Sequence, residues 1–241
     1  MKARIAIAGA LLAATGVAGA AEISATATLT NDYDWRGISQ TQGDPAFQMG
    51  LNYSAESGMY MGIWGSNVKF ANTADWETYG RRPNTELDVY LVYAFGDPVE
   101  TIGWDVGAIY YSYPNAGEGN FPEVYAGLSK GVFGLKTWYS WDFAGTGKTA
   151  YYVDSNLTLP MANGFSFLVH LGYSGAEYHD NKWDQADGGN GEYLDWSAGV
   201  GYDVCGWNTS MRYVDGSDMN SNPRNLGRFV FSLSTTLGGE E

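Results

Sequence analysis

Charged side chains in this chain keep to every second position of alternating segments. Asp32, Asp34 and Arg36 do so in one segment, and Glu86 and Asp88 do so in another. In a strand, residues two apart share a face, so this spacing gathers the ionisable groups on one surface. The candidate pore-lining residues on that parity are Asp32, Asp34, Arg36, Asp88, Asp105, Glu123, Lys136, Asp142, Asp154, Asp195, Arg212 and Arg228, with Glu86 and Asp203 beside them. Acids outnumber bases in this set. In a narrow low-dielectric passage a surplus of carboxylates favours cations, whereas in a filled interior the same charges neutralise one another. Arg36 follows two aspartates of its own parity, and the expected arrangement is a pair with Asp34 or Asp32 rather than an exposed anion site.

The residues needed for catalysis are scarce. The chain has two histidines, His170 and His179. A nucleophile requires a positioned base, and His170 shares its parity with Ser166 and Ser174, on the wet face, away from where an acyl-chain substrate would lie. No catalytic residue is expected. Two histidines without cysteine partners make a poor transition-metal site. The acidic run Glu177, Asp180, Asp184, Asp187 and Glu192 does not have calcium-loop spacing, so no metal and no cofactor is expected. Cys205 is the only cysteine, which excludes an intrachain disulfide.

The elements that carry these residues are strands with an apolar opposite face. Leu87, Val89, Leu91, Tyr93 and Phe95 alternate with Glu86, Asp88 and Tyr90; Phe165, Phe167, Val169 and Leu171 alternate with Ser166 and His170. Twelve segments of strand character follow one another, at 23–35, 45–54, 57–69, 85–96, 100–113, 121–130, 132–142, 149–160, 164–175, 192–204, 206–215 and 225–237. In segment 57–69, Tyr60, Trp64 and Val68 compete with Met59, Met61 and Ile63, and parity leaves its facing open. The connections alternate short and long. A transmembrane antiparallel β-barrel of about twelve strands, with short periplasmic turns and long extracellular loops, has this segregation, and a soluble sandwich has no reason for it.

Residues 1–21 read as a signal peptide: Lys2 and Arg4, an apolar run from Ile5 to Ala18, then small residues. That run is shorter than the roughly 20 apolar residues a spanning helix needs. Residues 22–241 form the barrel domain. The formal net charge is −14 and becomes more negative once the leader takes its two bases away, which argues against a nucleic-acid partner. Aromatic residues cluster near the long loops, among them Trp35, Tyr110, Tyr111, Tyr113, Tyr139, Trp141, Tyr151, Tyr152, Tyr173, Trp196 and Tyr213, and suggest an outer interfacial girdle. Trp104, Phe133, Phe165, Tyr202 and Trp207 suggest the inner one.

The run Thr30-Asn31-Asp32-Tyr33-Asp34-Trp35-Arg36-Gly37-Ile38-Ser39-Gln40-Thr41, with Pro45 and Gln48 after it, resembles the opening of the TorF-type porin family, bacterial proteins of unknown function. Tyr60-Met61-Gly62-Ile63-Trp64, Glu86-Leu87-Asp88-Val89-Tyr90 and Tyr111-Ser112-Tyr113-Pro114 match as well. The resemblance implies an exported outer-membrane barrel and carries over no site residues. The expected function is passive passage of small hydrophilic solutes or ions with a mild cation preference; a non-conducting scaffold or surface receptor is the alternative. The expected partners are outer-membrane lipid and the barrel-insertion machinery. Trp76, Arg81 and Arg82, in the long connection 70–84, are candidates for a segment folding over the mouth.

Overall fold

The computed structural model describes residues 21–70, 82–175, 192–217 and 227–238. The alternation resolves into fourteen strands: β1 Glu22–Thr30, β2 Asp34–Trp35, β3 Ile38–Ser39, β4 Ala46–Ser54, β5 Met59–Asn67, β6 Thr85–Gly96, β7 Gly103–Ser112, β8 Phe121–Lys130, β9 Phe133–Ser140, β10 Ala150–Pro160, β11 Phe165–Gly175, β12 Tyr193–Val204, β13 Trp207–Ser217 and β14 Arg228–Gly238. Twelve of them form a closed antiparallel barrel in sequential order; β2 and β3 pair only with each other. Closure joins β1 to β14, from Ser24 opposite Gly238 to Thr30 opposite Ser232, so neither terminal barrel strand has a free edge. Helix is confined to single 3₁₀ turns at 117–119, 143–145 and 162–164 among the described residues.

Short turns set the register at one end. Between β12 and β13, Cys205 and Gly206 both have positive φ, at 50° and 79°. That is the geometry of a two-residue hairpin whose twist matches the strands it joins, and it holds Val204 opposite Trp207. Slipping this register by one residue would turn every side chain of a strand to the other face.

Facing follows parity. In β6, Glu86, Asp88, Tyr90, Val92 and Ala94 are buried inside, while Leu87, Val89, Leu91, Tyr93 and Phe95 are exposed outside. β5, whose facing parity left open, turns Tyr60 and Ser66 inward and Met59, Met61 and Ile63 outward. The outward face is an apolar belt with aromatic ends: Trp104, Phe133, Phe165 and Trp207 near the short turns, Tyr110, Tyr139, Trp141 and Trp196 near the long connections. Tyr111, Tyr113 and Tyr152 do not belong to that girdle, because they are buried inside, as part of one aromatic cluster against which Trp35 packs.

The first strand is shorter than its alternation implies. β1 ends at Thr30, five residues before Trp35. At Asn31 the chain is still tied to β14: Asn31 N donates to Phe231 O at 3.1 Å, and Phe231 N donates to Asn31 Oδ1 at 2.6 Å. Beyond it Asp32 turns inward, and the segment 31–45 enters the barrel as a small hairpin.

Candidate functional site

The hairpin β2–β3 turns at Arg36 and Gly37, both with positive φ, at 52° and 78°. A glycine adopts that region without penalty; an arginine does so only where its surroundings hold it. Here the surroundings are aromatic and acidic. The Arg36 guanidinium lies 4.3 Å from the Trp35 ring centre, 4.6 Å from that of Tyr152 and 5.5 Å from that of Trp138. Its Nη1 and Nη2 donate to both oxygens of Glu123 on β8, at 2.9 and 2.6 Å. Such a two-armed pair is the geometry arginine satisfies best. Burial alone would lower the arginine's pKa, but the Glu123 carboxylate more than offsets this and raises it above its ordinary value. The pairing expected with Asp34 or Asp32 is therefore corrected: parity places residues on a face but says nothing of which strand a turned-in hairpin reaches.

Those two aspartates serve the other end of the hairpin. Arg228, the first residue of β14, donates from Nε to Asp32 Oδ2 at 2.7 Å, from Nη1 to Gly37 O at 2.9 Å, and from Nη2 to Asp34 Oδ1. Asp32 Oδ1 also accepts from Ser39 Oγ at 2.5 Å and Thr41 Oγ1 at 3.0 Å. In the ring of twelve strands β8 and β14 stand opposite each other. The hairpin is thus a strut across the long-connection end of the barrel, ion-paired to facing walls. Aromatic contacts brace it, with Trp35 stacked on Phe143 at 6.1 Å and Tyr33 edge-on to Trp64 at 5.5 Å.

The remaining predicted residues fall on the two flanks. On one flank, the Tyr152 hydroxyl donates to Asp195 at 3.0 Å, His170 Nε2 lies 2.8 Å from Asp195 Oδ1, and His170 Nδ1 lies 2.9 Å from Asn156 Oδ1, whose amide nitrogen donates to Asp154. Arg212 is buried on the same side. Lys136 pairs with Asp105 at 2.7 Å and lies over the Tyr125 ring at 4.6 Å. On the other flank Asp88 and Glu86 are buried beside Tyr33 and Tyr113. Two acids of the inward parity are not brought to this interior. Asp142 lies past the end of β9 in a turn, where it accepts from Gly147 N at 2.6 Å, and Asp203 is exposed near the short turns, bonded to Asn208. Trp76, Arg81 and the acidic run from Glu177 to Asp187 lie outside the described residues, as does the predicted leader up to residue 20.

A second feature had only a diffuse sequence signal, the abundance of glycine. Inward glycines stand directly opposite large inward side chains of the next strand: Gly50 opposite Trp64, Gly62 opposite Tyr90, Gly107 opposite Tyr125, Gly127 opposite Lys136 and Gly199 opposite Arg212. A Cβ at Gly107 would meet Tyr125 Cε1 at 2.5 Å, and one at Gly127 would meet Lys136 Cγ at 2.9 Å. Each long side chain therefore lies back over a bare stretch of backbone on its neighbour, along the wall.

Solved structures share this architecture at low identity. The KdgM porin superposes with a TM-score of 0.53 at 7% identity, over 91% of this chain and 99% of that one. The NanC porin gives 0.53 at 11%, over 90% and 100%. An outer-membrane channel from Pseudomonas putida F1 gives 0.51 at 9%, over 95% and 99%. At these identities the likeness is one of fold. No curated protein matches the sequence. The TorF-type name is not confirmed by these similarities. A family model does match, across residues 14–232, and by it the chain belongs to Gcw_chp, a family of bacterial proteins of unknown function.

Proposed function

We propose that this protein is a bacterial outer-membrane channel for passive passage of small hydrophilic solutes, with a mild preference for cations. The observation that carries the reading is the lying-back of inward side chains over cross-strand glycines, inside a closed barrel with a charged inner face. Side chains folded along the wall would be kept off the axis, which twelve strands make wider than that of the filled eight-stranded type. The strut then forms the constriction. Cation preference is supported by the excess of acids on the inner face: Arg36, Arg228 and Lys136 are each held by carboxylates, while Asp154 and Asp195 face no lysine or arginine in an ion pair among the described residues. The exposed apolar belt suits a lipid surround, and insertion into the outer membrane would need the barrel-insertion machinery.

The strut also favours a second reading. Tied to both walls, it suits a non-conducting barrel whose long connections do the binding. Single-channel current of the refolded protein in a planar bilayer under a potassium chloride gradient separates the two. Discrete steps with a cation-selective reversal potential are expected. A sealed bilayer containing folded, inserted protein would overturn the channel reading.

A further inference from the structure

Glu86 and Asp88 are neighbours on the inward face of β6, near its long-connection end. Two residues apart on a strand, their Cα atoms are about 6.6 Å from each other, within reach of a single ion. Glu86 is 3% exposed and Asp88 is fully buried. Among the described residues, Glu86 Oε2 and both carboxylate oxygens of Asp88 have no hydrogen-bond partner. Ser112 of the adjoining strand approaches Asp88 through its main chain without completing a bond of good geometry. The buried carboxylates Asp32, Glu123 and Asp195 each hold an arginine, a histidine or a hydroxyl. Glu86 meets the Tyr33 and Tyr113 hydroxyls, but among the described residues neither it nor Asp88 faces a base in an ion pair.

Buried charges persist when they are paired or when they coordinate a metal. We propose that Glu86 and Asp88 hold one hard divalent cation, Mg²⁺ or Ca²⁺, through Glu86 Oε2 and the two oxygens of Asp88. The charges balance, two carboxylates against one divalent ion. Among the described residues no three histidine, cysteine, aspartate or glutamate side chains converge, so the site is a two-carboxylate one whose remaining ligands are water. Hard divalent ions accept that arrangement, Mg²⁺ in particular. The surroundings fit oxygen chemistry: the phenols of Tyr33 and Tyr113 lie against Glu86 and in the field of Asp88. Trp64 and Phe70 pack on those two tyrosines, at 5.5 and 5.3 Å. Because Tyr33 belongs to the strut segment and Tyr113 follows β7, the ion would fasten the strut to a third part of the wall. The site does not depend on whether the barrel conducts.

The test uses the folded protein in detergent micelles, stripped with a chelator and titrated calorimetrically with MgCl₂ and with CaCl₂. One saturable site per chain is expected, with Kd rising at least tenfold in Glu86→Gln and in Asp88→Asn and unchanged in Asp203→Asn. Terbium provides a second readout. Its tyrosine-excited luminescence should fall by more than half in the Tyr33→Phe, Tyr113→Phe double variant while its stoichiometry holds, and this variant removes no charge if the carboxylate variants do not fold. Absence of saturable binding to the wild type would overturn the site. So would binding that survives both carboxylate substitutions, or terbium emission indifferent to the two tyrosines.

Discussion

Arg36 and Glu123 form a two-armed ion pair between the turn of an inward hairpin and the wall of the barrel, with N–O distances of 2.9 and 2.6 Å and almost no exposure of either side chain. Removing one partner of a buried pair strands the other, a loss of about 3–5 kcal/mol. Arg36→Ala is therefore expected to destabilise the folded protein by that order. Replacing both residues with apolar side chains of similar volume should recover much of it. Urea unfolding in lipid vesicles, run as a double-mutant cycle, checks this; a loss in the double variant equal to the sum of the two single losses would show that the pair does not hold the hairpin.

Arg228 anchors the same hairpin from the opposite wall through Asp32 and Asp34. Two anchors on one strut are not independent, and effects of coupled residues do not add. Arg36→Ala and Arg228→Ala are each expected to raise single-channel conductance, and the double variant should rise little beyond the larger single effect. Additive increases would mean that the strut does not move as a unit.

Gly107 and Tyr125 test the folded-back side chains. A methyl group at Gly107 meets the Tyr125 ring and no backbone within the contact distance of its nearest neighbours. Gly107→Ala should push the ring toward the axis, lower conductance and cost about 1–3 kcal/mol as an overpacked site. Adding Tyr125→Ala should restore conductance to at least the wild-type level. Unchanged current in Gly107→Ala would place the ring outside the conducting path.

Leu91, outward on β6, probes what surrounds the barrel. Arginine at a lipid-facing position near the bilayer midplane costs about 2–4 kcal/mol, whereas a surface change in water stays within about 0.5 kcal/mol. Leu91→Arg is expected to lower unfolding free energy in vesicles by the larger amount. A change within the smaller range would remove the lipid assignment of this belt.

The barrel was legible because its signal is repeated in every strand. Parity in β6, β11 and β14 assigns the outward Leu, Val and Phe residues without reference to any other strand, and the alternation of short and long connections counts the strands, the boundaries moving by only a few residues. β5 resisted, because large side chains occupy both parities; its facing is settled by Tyr60, Gly62 and Trp64 meeting Val92, Tyr90 and Asp88 across the ladder. Tyr111 and Tyr152 were misplaced for a related reason. An aromatic ring near a strand end suits either an interfacial girdle or an interior, and composition does not distinguish them.

What the sequence by itself determined is therefore what depends on period and local turn chemistry: an all-β chain, two unlike faces, and an inward set of acids exceeding bases. The tertiary structure decided which of those charges meet. Arg36 is 87 residues from Glu123 along the chain and Arg228 is 196 from Asp32; their encounters depend on barrel closure, on strand stagger and on the chain leaving β1 at Thr30 to enter the interior. The Asn31 and Asp32 side chains mark that departure in the sequence, but alternation continues through Trp35 and masks it. Among the described residues Glu86 and Asp88 are left without a base, and this becomes visible only once the ion pairs of the closed barrel are known. Periodicity acts over a few residues and survives in one dimension, whereas ion pairing depends on distances that only the closed barrel defines.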